Sequence, residues 1–132
     1  DSSPLDRSIQ LQGSLIAQGD SHEITELSFT IASVTGAKPL NLTDNSLKIS
    51  YRDQNQRVNN LTWTQRFQGS HNDNDLLDPG ELLQLTIPLA GTLKAHLGPN
   101  TAFVIDVTPP QGAILSLKRT TPAQLDTTLD LN

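Results

Sequence analysis

The sequence predicts an all-β domain, an antiparallel β-sandwich of immunoglobulin-like type with about seven to eight strands. Three observations predict it. Apolar residues recur with period two, turn residues punctuate the rows at regular intervals, and no long window carries helical periodicity. In a strand, side chains at i and i+2 share a face, so each row marks a strand with one buried and one wet side. Two such one-sided sheets must cover each other, because either alone would leave its apolar row in water.

The rows follow in order. Ile9, Leu11, Gly13 and Leu15 alternate with polar residues. Leu27, Phe29 and Ile31 form the second row, and Leu47, Ile49 and Tyr51 the third. Leu61, Trp63 and Phe67 share parity, with Gln65 interrupting the apolar set. Leu83, Leu85, Ile87 and Leu89 are followed by Phe103, Ile105 and Val107, and then by Ala113, Leu115 and Leu117. Between them lie Gln18-Gly19-Asp20, Gly36-Ala37-Lys38-Pro39, the stretches 53–60 and 69–80, Gly98-Pro99-Asn100 and the stretch 109–112. Their Gly, Pro, Asn and Asp content is what turns require. One short helical turn is expected at Thr121-Pro122-Ala123-Gln124-Leu125, with Thr121 as cap and Pro122 at the first helical position. The polar start, Asp1 to Asp6 with Pro4, reads as a frayed entry to the first strand. No repeat or linker divides the chain, so residues 1–132 read as one domain.

Composition narrows the function. Nine Lys and Arg against fourteen Asp and Glu give a formal charge of −5. That sign argues against nucleic acid, which needs a basic footprint, and against anionic lipid. Cysteine is absent, so there are no disulfides, no thiol nucleophile and no thiolate metal site. No stretch reaches the roughly 18 consecutive apolar residues of a membrane helix.

Catalytic patterns are missing as well. There is no Gly-x-Ser-x-Gly turn, no Cys–His pair and no glycine-rich phosphate loop. His22, His71 and His96 stand singly in or near turns, without metal-ligand spacing. Glu23 with Glu26, or Asp75 with Asp78, could in principle pair as acid and base. The five aromatics (Phe29, Tyr51, Trp63, Phe67 and Phe103) all fall on apolar rows, which assigns them to the core and leaves no aromatic floor for a sugar. The sequence is therefore read as non-enzymatic.

Two kinds of site remain. The acidic loop around Asp73, Asn74, Asp75 and Asp78 offers oxygen ligands for calcium or magnesium, although the spacing is not that of an EF-hand. A solvated acidic loop is the alternative, and no cofactor is required by anything else in the chain. Asn41-Leu42-Thr43 and Asn60-Leu61-Thr62 are Asn-x-Thr acceptors at loop edges, so Asn41 and Asn60 are candidate glycosylation sites if the protein is extracellular.

The second half carries longer signatures: Leu77-Asp78-Pro79-Gly80-Glu81 before a strand, Leu97-Gly98-Pro99-Asn100-Thr101 before another, and Pro110-Gln111-Gly112-Ala113 leading through an apolar strand to Arg119-Thr120-Thr121-Pro122. With Ile24 to Val34 and the Gly36-Ala37-Lys38-Pro39 turn upstream, this resembles the outer globular domain of archaellins, the archaeal flagellins. The resemblance runs from about Ile9 to Asn132, and the Pro-x-Gly-Ala to Arg-Thr-x-Pro stretch is its most specific part. It implies a structural subunit of an extracellular, cell-surface filament that serves swimming motility and adhesion. It also implies identical or paralogous archaellin subunits as partners. The family's N-terminal hydrophobic polymerisation helix is not in this sequence, so the chain is expected to be the soluble outer domain alone and monomeric when isolated. Two other readings stand beside it: an archaellum accessory protein of the same fold that binds a surface-layer lattice, and a calcium-dependent extracellular binding module.

Overall fold

The computed structural model describes residues 9–33, 40–42, 47–69, 76–110 and 112–132. All of its regular structure is strand: β1 (Ile9–Gly19), β2 (Ile24–Ser33), β3 (Leu40–Asn41), β4 (Lys48–Asp53), β5 (Gln56–Val58), β6 (Thr64–Gln68), β7 (Leu76–Leu77), β8 (Leu82–Pro88), β9 (Ala102–Thr108), β10 (Leu115–Thr120) and β11 (Thr128–Leu131). One antiparallel sheet has the order β11-β1-β2-β8-β6, a second has β10-β9-β4-β5, and β3 pairs with β7 in a small ribbon. All seven apolar rows form strands. Four short strands of two to four residues (β3, β5, β7 and β11) join them.

The rows do what period two requires. In β8 the pattern alternates strictly, with Leu83, Leu85 and Ile87 buried and Leu82, Gln84 and Thr86 half-buried on the other side. Phe103, Ile105 and Val107 of β9 face the same interior, as do Ile49 and Tyr51 of β4 and Leu27, Phe29 and Ile31 of β2. Tyr51 stacks on Phe103 with ring centroids 5.9 Å apart, which fills the centre of the four-stranded sheet with two flat rings. The edge strand β6 differs. Trp63 and Phe67 are half-buried and pack against the core rather than within it, because a strand with one neighbour has a rim side open to water. Ala113 is exposed and precedes β10, so the last apolar row begins at Leu115.

The sheet edges are joined by polar groups at a few points. The Arg119 Nε on β10 donates to the Leu131 carbonyl on β11 at 2.7 Å, linking the two sheets. The Gln56 amide donates to the Ala95 carbonyl at 2.7 Å and accepts from the Lys94 N–H at 2.8 Å, holding the connection after β8 against the β4–β5 turn. Gly19 ends β1 where the backbone crowds closest: a Cβ there would lie 2.1 Å from the Glu23 carbonyl oxygen. Between Gln12 and Ile16 the β1–β2 register slips, so β1 bulges at Gly13 and Ser14 without changing the parity of its inward row.

Residues 121–127 form no helix. Thr121 is buried, and its hydroxyl works across the chain instead of capping a turn. It donates to the Gly98 carbonyl at 2.6 Å and accepts from the Thr101 N–H at 2.9 Å. The Asn100 N–H bonds the Pro122 carbonyl at 3.1 Å, so this segment continues the β9–β10 pairing as a closed loop. Tertiary hydrogen bonds here outweigh a capping preference worth only about 1 kcal/mol. The Thr121→Val variant, which keeps the shape and removes the hydroxyl, should lose about 1–3 kcal/mol in denaturant unfolding, because the Thr101 N–H is left without its acceptor.

Candidate assembly surface

The strand register sorts the exposed charges. On the outer side of the four-stranded sheet, Arg57 of β5 lies opposite Arg52 of β4, Arg52 opposite Val104 of β9, and Val104 opposite Lys118 of β10. The neighbouring row runs Ser50, Asp106, Ser116, and Lys48 follows opposite Thr108. Among the described residues, four cations therefore share this face with one carboxylate. Asp106 is taken up locally: it forms an ion pair with Arg52 Nη1, and the Ser116 hydroxyl donates to its other oxygen at 2.5 Å. Among the described residues, Lys48, Arg57 and Lys118 have no ion-pair partner.

The outer side of the five-stranded sheet is built from amides and hydroxyls. Gln12, Thr30, Gln84 and Arg66 form one row across β1, β2, β8 and β6. The Gln84 amide donates to the Ser28 hydroxyl of β2 at 3.0 Å. Negative charge gathers at the rim where β1 turns into β2 and where β11 begins. Asp20, Glu23 and Glu26 lie at that turn. The Gly19 N–H bonds the Thr127 carbonyl at 3.1 Å, which brings Asp126 alongside, and Asp130 lies opposite Ile16. Glu23 forms an ion pair with the exposed His96 when that imidazole is protonated.

Two turns share one device. Asp20 accepts the N–H groups of His22 at 2.8 Å and Glu23 at 3.0 Å. Asp53 accepts those of Asn55 at 2.7 Å and Gln56 at 3.1 Å. These are side-chain-closed turns in which a carboxylate mimics the backbone. The N–H groups of His22 and Glu23 hold the Asp20 carboxyl below its ordinary range. Partial burial alone would raise Asp53. The Tyr51 hydroxyl, donating at 2.6 Å, and the N–H groups of Asn55 and Gln56 more than offset that, so this carboxyl is also lowered. Tyr51 moves the other way, its phenol pushed up by burial and by the Asp53 carboxylate beside it.

The candidate residues read from the sequence fall as follows. Asp78 opens a turn with Pro79 and Gly80, in which the Glu81 N–H bonds the Asp78 carbonyl at 3.0 Å and the Glu81 carboxylate accepts the Asp78 N–H at 2.8 Å. Gly80 takes φ +90°, the conformation such a turn demands after proline. Asp73 and Asp75, with His71 and Asn72, lie outside the described residues. Among the described residues, no group of three His, Asp or Glu side chains gathers as a metal site would need. Asn41 belongs to β3, and Asn60 is exposed in the connection after β5 at φ +59°. His22 and His96 are exposed, as their turn positions imply. The basic row was not legible in the sequence. Arg57, Arg52 and Lys118 are scattered along the chain, and only the pairing register aligns them.

The described residues thus form a two-layer antiparallel β-sandwich with packed apolar rows inside and its charges on the outer faces and rim. The comparisons place it more narrowly. A model of the family described as archaeal-type flagellin matches residues 1–119, and the chain belongs to that family. It is 27% identical, over 94% of its length and 70% of the relative's, to a probable flagellin 1 of Archaeoglobus fulgidus. Its fold is similar to the crystal structure of archaeal flagellin FlaB1 from Methanocaldococcus jannaschii, at TM-score 0.80 and 13% identity, covering 93% of this chain and 95% of that one. It is also similar to the archaeal flagellum of Methanospirillum hungatei strain JF1, at TM-score 0.72 and 19% identity, covering 96% and 72%. The archaellum periplasmic stator protein FlaG of Sulfolobus acidocaldarius shares the fold less closely, at TM-score 0.55 and 18% identity, covering 83% and 98%.

The lowered Asp53 carboxyl sets the direction of a pH effect. Its contribution to stability is present above the ordinary carboxylate value of about 4 and is lost as pH falls through its lower folded value. The Asp53→Asn variant should therefore be less stable than the parent by about 1 kcal/mol at neutral pH. Denaturant melts should show that gap shrinking as pH falls below about 4.

Proposed function

We propose that this chain is the surface-exposed β domain of a structural subunit of the archaellum filament. In this role it stands at the cell surface among identical or paralogous archaellin subunits and supports swimming and adhesion. The observation that carries the reading is the archaeal-type flagellin match over residues 1–119. The physics suits the role. Two sheets closed on one another give a durable unit without disulfides, and a polar exterior of net negative charge keeps long polymers from clumping sideways. No catalytic step belongs to this role. The family model matches residues 1–119, and the relative and the solved structure cover 94% and 93% of the chain, which supports reading residues 1–132 as a single domain. In the same reading Asn41 and Asn60 are glycan attachment points on the exposed domain. Antibodies raised against the chain should decorate surface filaments along their whole length in electron micrographs, and peptide mapping of those filaments should find sugar on Asn41 and Asn60. Decoration confined to the filament base would favour the accessory-protein reading, for which the fold shared with FlaG is the supporting observation.

The acidic loop with Asp73, Asp75 and Asp78 is the place where calcium or magnesium would sit, held by carboxylate and carbonyl oxygens. The filament reading itself invokes no metal. Thermal melting with and without EDTA should give the same midpoint to within about 1 °C. A larger fall on chelation would place a stabilising cation in the loop and favour the calcium-dependent module.

A further inference from the structure

The basic row and the acidic rim lie on different sheets of one molecule. Arg57, Arg52 and Lys118 cross the outer side of the four-stranded sheet, with Lys48 beside them. Glu26, Asp126 and Asp130 lie on or beside the outer side of the five-stranded sheet. The outer sides of the two packed layers face away from each other, so neither patch can neutralise the other within a single chain. Among the described residues, Lys48, Arg57 and Lys118, and likewise Glu26, Asp126 and Asp130, have no ion-pair partner.

We propose that these two patches meet between copies: the basic face of one chain docks on the acidic rim of the next. The inference rests on the filament-subunit reading and deepens it by naming a contact surface. The chemistry selects this partner. A second copy presents Glu26, Asp126 and Asp130 on one folded rim, opposite in sign to the basic face, while the net charge of −5 that both copies carry opposes their approach and keeps the contact weak. Patches of opposite sign on different faces of one subunit form a heterologous contact. Such a contact leaves a free patch on each end copy and so propagates along a row instead of closing a pair. Rim ion pairs are individually weak and screened by salt. This interface therefore orients neighbours that something else holds together, and it leaves the isolated chain monomeric at micromolar concentration. A shallow groove at one end of the basic face is lined by Arg52, Lys118 and Arg119, with the Asp53 carboxylate among them, so the Lys118 side chain is the lining cation there without an ion-pair or hydrogen-bond partner among the described residues.

Zero-length carbodiimide cross-linking tests the contact, because it joins a lysine amine to a carboxylate only when the two touch. On the chain at millimolar concentration and low salt, the expected intermolecular peptides join Lys118 or Lys48 to Glu26, Asp126 or Asp130. Raising the ionic strength from ~10 mM to ~150 mM should cut their yield about fivefold, as the screening length contracts from ~30 Å to ~8 Å. Arg57→Glu, which spares both reporting lysines, should lower the yield about as much, with an unchanged melting midpoint as the folding control. Mixing that variant with Asp126→Lys should recover intermolecular cross-links to the remaining carboxylates. No cross-linked pair at low salt, a yield indifferent to salt, or linkages mapped to other surfaces would each overturn the proposal. Antibody decoration of filaments decides the filament reading separately. Decorated filaments without these cross-links would reject the contact and leave that reading standing.

Discussion

The structure depends on one constraint: two sheets, each apolar on a single side, must hide those sides in each other. Leu83, Leu85 and Ile87 from one layer and Ile49, Ile105 and Val107 from the other are buried to the last few per cent or less. Fully burying a side chain of this size stabilises by about 1.5–3 kcal/mol, and both layers contribute such side chains throughout the core. Two of the polar groups drawn inward find partners, whereas the buried Ser33 hydroxyl has none among the described residues. Tyr51 brings a hydroxyl to the edge of the interior and finds Asp53; Thr121 brings one into the closing loop and finds Gly98 and Thr101.

Because the interior is generic, it specifies a shape and not a partner. What distinguishes this chain from another sandwich is written on its outside, in the positions that alternate with the buried rows. The same pleat that turns Tyr51 inward turns Ser50 and Arg52 outward, and the pairing of β4, β5, β9 and β10 then sets those outward residues side by side. Core and surface are thus two readings of a single register. A slip of one residue would exchange them, so the apolar row protects the charge pattern as well as the fold.

The strongly alternating segments were legible from the sequence because each carries three or more apolar residues of one parity. The row Leu83 to Leu89 is the clearest case, and it appears as β8 with little change. β11 was not legible. Its four residues hold only Leu129 and Leu131, and its place is fixed by pairing with β1, a partner drawn from the other end of the chain. The expected helical turn at Thr121 failed for a related reason: a local capping signal was outweighed by contacts to Gly98 and Thr101, which no local window contains. Trp63 and Phe67 had the right parity for the core, but parity carries no information about whether a strand will lie at the centre of a sheet or at its edge. At the candidate surface, the individual cations were visible and their alignment was not.

The pairing of β1 with β11 also governs the order in which the molecule can be made. Leu15 lies against Leu131, so the five-stranded sheet gains its outermost member only once residues 128–131 have been made. Contacts between such distant parts of a chain demand costly loop closure, and all-β domains dominated by them fold on the millisecond-to-second scale. Until that moment the outer edge of β1 presents unsatisfied backbone donors and acceptors, an invitation to strand addition by any neighbouring chain. A nascent chain therefore passes through an interval of adhesive immaturity that ends when β11 zips onto β1.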